Sequence, residues 1–352
     1  MRKLPWAVFG LSLAIVAHAQ SLLVLDKGAD ALVVVDAATL KITGRVPSGP
    51  DPHEVIASPD GRVAWISNYM RGNGAANTLT VADLVNLKPL PIVNLGALSR
   101  PHGLTFAGGK VWFTAEGAKV VGRYDPSTNA IDWVMGTGQD RTHMIIVSKD
   151  EQRVYTSNVA SATVCIIEQK EMRPMGPPPG GGGPPPGGGP PPGGPPRFGP
   201  TKDWEVTVLP VGAGAEGFDL SPDGRELWVA NAHDASVSII DTAAKKTIDT
   251  VKVPFRAANR LKFTPDGRRV FISDLGGDQV FVLDVAGRRL AKRITVGRGP
   301  AGILMDPNGG RAFVAVNGEN GVAVVDLKTL AVTTRVETGP GPDGLAWAVR
   351  AK

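Results

Sequence analysis

Cysteine is almost missing from this sequence: Cys165 stands alone among 352 residues. One thiol excludes an internal disulfide, and without a CxxC pair there is no zinc ribbon and no covalently attached haem. In the run Thr163-Val164-Cys165-Ile166-Ile167 it reads as a small buried core residue. The nucleophile elbow G-x-S-x-G is also missing, which removes the usual support for serine-based acyl chemistry. After the N-terminal segment no apolar run is long enough to span a bilayer. The formal net charge is only +5. Basic residues such as Lys245, Lys246, Arg288, Arg289, Lys292 and Arg293 fall in outer, alternating segments, which suits a solvated edge better than a nucleic-acid groove.

The chain opens with Arg2 and Lys3, an apolar run from Leu4 to Ala17, and then Ala17-His18-Ala19. This is the layout of a secretory signal with an A-x-A cleavage site. Residues 1–19 are therefore expected to be removed, leaving a mature chain at 20–352 that is periplasmic or extracellular.

Helical periodicity is absent from the body of the chain. In its place is a unit stated most cleanly from Ala215 to Arg256: an apolar segment, the turn Ser221-Pro222-Asp223-Gly224, a run ending in Val229-Ala230-Asn231, a polar loop, Ser236 to Asp241, and an alternating charged segment. Each segment has a strand's length and a strand's alternation, and Asp-Gly or Asn-Gly turns separate the first pair. The unit recurs about every 42 residues, with four strands per repeat.

Aligning the repeats on their first strands gives seven opening residues: His53, His102, His143, Glu216, Asn259, Ala301 and Asp343. The sequence from Asp343 supplies only a first strand, while Ser21 to Pro47 supplies three strands with none before them. An all-β, seven-bladed β-propeller of four-stranded blades is predicted, closed by the C-terminal first strand joining three N-terminal strands. Asp60, Asp223 and Asp266 are read as turn formers rather than catalytic acids. One interval is far longer than the rest, and residues 171–200, within the fourth blade, are nearly all proline and glycine. That segment reads as a disordered insertion between a third and a fourth strand. Either it is a tolerated loop or it docks a protein partner.

The second-strand endings Trp65-Ile66-Ser67-Asn68, Tyr155-Thr156-Ser157-Asn158 and Trp228-Val229-Ala230-Asn231 resemble the YVTN-type propeller repeat, over nearly all of Ser21 to Val349. Residues 101–132 are similar to streptogramin lyases of the virginiamycin B lyase type and to gluconolactonase-like propellers.

In a propeller every first strand begins at the same face, so the seven opening residues should converge at one mouth of the central channel. Of five histidines in the chain, three open consecutive units, and His233 lies in a loop on the same face. Imidazoles, carboxylates and an amide converging from several blades would suit a divalent metal. Three histidines favour zinc, whereas Glu216, Asn259 and Asp343 favour magnesium or calcium. Polar groups lining a water-filled channel are the plainer reading.

The gluconolactonase-like resemblance implies that Glu216, Asn259 and Asp343 hold the metal and polarise a lactone or ester carbonyl. His53, His102 or His143 would then move the proton. Arg100, Arg141 and His233 are candidates for holding a small anionic substrate. Two functions remain open at this point: a metal-dependent hydrolase or lyase, and a non-catalytic propeller that binds a ligand, metal or protein in the cell envelope.

Overall fold

The computed structural model describes residues 19–71, 74–172 and 201–350. All but Ala19 of the expected signal segment, and residues 173–200 of the insertion, lie outside them. Among the described residues the chain forms seven four-stranded antiparallel sheets. Blade 1 takes its inner strand from Pro342–Arg350, which pairs with Ala19–Asp26, and its outer two from Ala31–Asp36 and Ile42–Pro47. The ring closes as expected. The inner strands of blades 2 to 7 are Pro52–Ala57, Pro101–Ala107, Thr142–Val147, Ala215–Leu220, Ala258–Phe263 and Pro300–Met305.

The local chemistry explains the hairpins. Gly61, Gly224, Gly267 and Gly309 have φ between 65° and 77°, where a side chain would be strained. Ahead of three of them a hydroxyl donates to the turn carboxylate: Ser58 to Asp60 at 2.5 Å, Ser221 to Asp223 and Thr264 to Asp266 at 2.6 Å. These acids are turn formers, as read. On the same face Met172 pairs with Thr201 across the roots of the insertion.

Apolar residues of strands two and three fill the spaces between blades. Trp65 stacks on Phe106 of the next blade with ring centroids 5.6 Å apart, and Trp228 meets Phe263 edge-on at 5.7 Å. Each fully buried ring contributes about 1.5–3 kcal/mol. Cys165 is fully buried, and burial raises its thiol pKa, which keeps it inert.

One irregularity is repeated in all seven blades and builds the channel. After its first residue each inner strand leaves the ladder for two residues, as where the pairing jumps from Pro52 with Asn68 to Val55 with Ile66. The freed pairs are His53–Glu54, His102–Gly103, His143–Met144, Glu216–Gly217, Asn259–Arg260, Ala301–Gly302 and Asp343–Gly344. Such a bulge re-aims side chains out of the sheet.

In four blades a second-strand hydroxyl lies opposite the bulge and ties it to its neighbour. Ser67 accepts the Glu54 N–H at 3.0 Å and donates to the His102 carbonyl at 2.8 Å. Thr114 accepts from Gly103 at 2.9 Å and donates to the His143 carbonyl at 2.6 Å. Ser157 and Ser273 repeat the contact to the carbonyls of Glu216 and Ala301. Glycine allows the blades this close: a Cβ on Gly103 would stand 2.6 Å from the His143 carbonyl oxygen.

Candidate functional site

The opening residues do converge, but half of the ring is chemically richer than the other. The reason is a second set of positions, the residue just past each second strand and, in blade 2, Tyr69 within the longer strand Val63–Arg71. In every blade its N–H donates to the carbonyl two residues before the opening residue, as Lys27 to Gly341, Tyr69 to Asp51 and Glu116 to Arg100 at 3.0–3.1 Å. Blades 1 to 3 place Lys27, Tyr69 and Glu116 there; blades 4 to 6 place Val159, Ala232 and Leu275. Each of the first three faces a histidine of the blade that follows.

Lys27 Nζ lies 2.9 Å from His53 Nε2, and also 3.3 Å from Asp51 and 3.4 Å from Asp343. The same Nε2 lies 3.3 Å from Asp51 Oδ2, so the ring sits between a donor and an acceptor and its tautomer selects between them. Tyr69 packs on His53 at 4.6 Å and edge-on to His102 at 5.6 Å, while its hydroxyl donates to Glu116 Oε2 at 2.5 Å. Glu116 Oε1 lies 2.5 Å from His143 Nδ1. On the other side of that ring Glu216 Oε1 approaches Nε2 to 2.9 Å, off the line of a hydrogen bond.

The electrostatics follow from this placement. Burial disfavours a charged imidazole, but Glu216 and Glu116 together overcome it and push His143 up to about 9. Both carboxylates are held below their ordinary range, against burial, by His143. His102 is 2% exposed and stacked on His143 at 3.7 Å. Burial, and then the charge of His143, hold it well below the usual histidine range. Its Nδ1 is buried without a hydrogen-bond partner among the described residues.

A third layer lies outside the histidines. Asp51, Arg100 and Arg141 all adopt φ of 52–55° at the position where blades 5, 7 and 1 use Gly214, Gly299 and Gly341. Keeping a side chain there costs about 1 kcal/mol, so the side chains are retained against the local preference. Arg141 stands 3.6 Å from Glu116 and is half exposed. Arg100 is exposed near Tyr69. His233 is exposed on the rim of blade 5, against Gly214.

The metal set implied by resemblance fits less well. Each member sits beside a cation of the chain: Glu216 beside His143, Asp343 beside Lys27, and Asn259 Oδ1 3.4 Å from the Arg260 guanidinium. Such neighbours oppose a divalent ion at that arc. Glu216 belongs with the histidines rather than across the mouth from them. Arg260, buried in blade 6, reaches the partly buried Glu54 carboxylate of blade 2.

The likeness to known proteins can be set against this geometry. Residues 211–348 match the family model described as "Lactonase, 7-bladed beta-propeller". That stretch carries blades 5 to 7 and the closing strand, so Glu216, Asn259 and Asp343 fall within it and the three ring histidines do not. No curated protein matches the chain in sequence. Among solved structures, a functionally unknown protein from Desulfotomaculum acetoxidans aligns with TM-score 0.71 at 13% identity, covering 93% of this chain and 98% of that one. A Bacteroides uniformis protein described as a candidate 6-phosphogluconolactonase aligns at 0.68 and 15% identity, covering 94% and 99%. The hydrazine synthase of Kuenenia stuttgartiensis aligns at 0.65 and 16%, covering 85% and 90%. At these identities the likeness is one of fold.

Proposed function

We propose that the chain hydrolyses a lactone or lactone-like ester carrying a negative charge, at the channel mouth over blades 1 to 5. The observation that carries the reading is the layered arrangement at that mouth. Arginines stand at the rim, His53 lies within reach of solvent beside Lys27, and the His102–His143 stack is locked beneath. The lactonase description of the model matching residues 211–348, and the 6-phosphogluconolactonase description of a structural neighbour, support this substrate class.

Of the three ring histidines, only His53 has appreciable exposure, with 17% of its side chain accessible. It takes the proton from a water as hydroxide adds to the carbonyl carbon. Lys27 and Arg141 stabilise the oxyanion. Collapse breaks the acyl C–O bond, and the His53 proton passes to the leaving alkoxide, giving a hydroxy acid. His102 and His143, both 2% exposed, hold the surface against which the substrate lies. Guanidinium forks at Arg100 and Arg141 match a phosphate or carboxylate, so phosphorylated sugar lactones are the first substrates to try. The resemblance of residues 101–132 to streptogramin lyases supports elimination as the other chemistry, and product mass distinguishes the two.

The test is hydrolysis of charged and neutral lactones by wild type and His53→Ala. Turnover of charged lactones that drops about a hundredfold in the variant supports the reading. No turnover of any lactone would overturn it and leave the non-catalytic binding propeller. We also propose that residues 1–19 direct export, which N-terminal sequencing of the secreted chain tests.

A further inference from the structure

We propose that His102, Glu116 and His143 form a site for one transition-metal ion of zinc's class, a site distinct from the Glu216–Asn259–Asp343 arc. Their ligand atoms all lie within 4.8 Å of one another, and all three residues are buried. Two imidazoles and a carboxylate are a donor set for zinc, copper or nickel rather than for magnesium or calcium, which prefer oxygen alone.

A second observation points to a ligand independently of the cluster. His102 Nδ1 is buried at a residue 2% exposed, has no hydrogen-bond partner among the described residues, and belongs to the ring stacked on His143. A buried imidazole nitrogen without a partner gives up the hydrogen bond it would make in water. Coordination would satisfy it.

The surroundings are those of a supported site. Ser67 and Thr114 fix the carbonyls of His102 and His143 at 2.8 and 2.6 Å, so the two backbones are positioned before any ion arrives. Tyr69 donates to Glu116 Oε2 at 2.5 Å, leaving Oε1 for the ion. Such outer hydrogen bonds orient metal ligands. Glu216, 2.9 Å from His143 Nε2 on the far side of that ring, is a charge partner of the histidine rather than a ligand, so the fourth position falls to water. Tetrahedral bonds near 2.1 Å need donors about 3.4 Å apart, so His143 Nδ1 and Glu116 Oε1, now 2.5 Å apart, must spread to admit the ion. The ion takes the place of the proton between His143 Nδ1 and Glu116 Oε1, and that proton leaves to solvent. Opposing it are Arg141, 3.6 Å from Glu116 and half exposed, and His53, whose ring lies 4.7 Å from His102.

The inference does not rest on the hydrolytic reading, and its test does not use turnover. Chain purified without a histidine tag and stripped with chelator is titrated with zinc chloride by calorimetry and with cobalt(II) by absorption. One ion per chain is expected, with the visible spectrum of a four-coordinate nitrogen–oxygen cobalt site. Affinity should fall at least tenfold in His102→Ala and in Glu116→Gln, fall less in Tyr69→Phe, and stay unchanged in His233→Ala. Circular dichroism identifies any variant that fails to fold, and Tyr69→Phe, which keeps all three ligands, then carries the comparison. Absence of saturable binding, or binding undiminished in folded His102→Ala and Tyr69→Phe, would overturn the site. Hydrolysis by the stripped chain would leave the proposed function standing whichever way this result falls.

Discussion

His143 lies against His102 with ring centroids 3.7 Å apart, yet their surroundings push the two imidazoles in opposite directions, His143 up and His102 down. Burial acts on both; only His143 has two carboxylates to offset it. In metal-free protein the His143 ring should therefore titrate near 9 by NMR, and His102 should stay neutral to well below 6.5.

The same pair gives stability a pH dependence whose signs differ. His143 has a raised pKa, so its contribution, on the order of 3 kcal/mol, is full below about 6.5 and is lost as pH rises through about 9. Glu116 and Glu216 have lowered values, so theirs is present above the ordinary glutamate pKa and lost on acidification. His102 acts against folding below about 6.5, where the unfolded chain takes up a proton that the folded chain refuses. Urea melts from pH 5 to 10 should show the alkaline loss in wild type and its absence in His143→Gln.

The ion pair of Arg260 with Glu54 joins two blades that are not neighbours; Arg260 is buried and Glu54 is partly buried. Glu54→Ala would strand the guanidinium and should destabilise by about 3–5 kcal/mol. The double variant Glu54→Leu with Arg260→Met should recover most of it. Equal loss in the single and double variants would mean that the pair itself, rather than the stranded charge, carries the stability.

Thr114 bridges two blades through one hydroxyl, accepting from Gly103 and donating to the His143 carbonyl. Thr114→Val keeps the shape and leaves both backbone groups unpaired, so a loss of about 1–3 kcal/mol is expected in denaturant melts. The ring of His143 should shift with it, detectable as an altered titration midpoint.

Gly217 has an inner-strand position where a Cβ would lie 2.5 Å from the Asn259 carbonyl oxygen. Since the obstacle is backbone, Gly217→Ala should destabilise by about 1–3 kcal/mol. Gly224→Ala, in an outer turn with open space at the Cβ but φ of 73°, should lose about 1 kcal/mol from backbone strain alone.

Architecture was legible because it is written seven times. The turns, the alternation and the opening residues recur about every 42 residues over the last four openings, and repetition averages out the ambiguity of any short strand. His53, His102, His143 and Glu216 were legible for the same reason. Lys27, Tyr69 and Glu116 were not, because they differ in kind and follow three different residues, Asp26, Asn68 and Ala115. Aligning the repeats on the recurring Asn or Asp and reading the next residue would have exposed the first two; Glu116, after an alanine, carries no such signal. Residue type alone did not say that Glu216 would stand 2.9 Å from His143 Nε2, since it does not tell which neighbour a carboxylate leans toward.

Arg260 and Glu54 tie blade 6 to blade 2, which share no edge. Among the described residues each other ion pair between blades runs from a blade to the next, so this one clasp lets a disturbance skip from one side of the circle to the other.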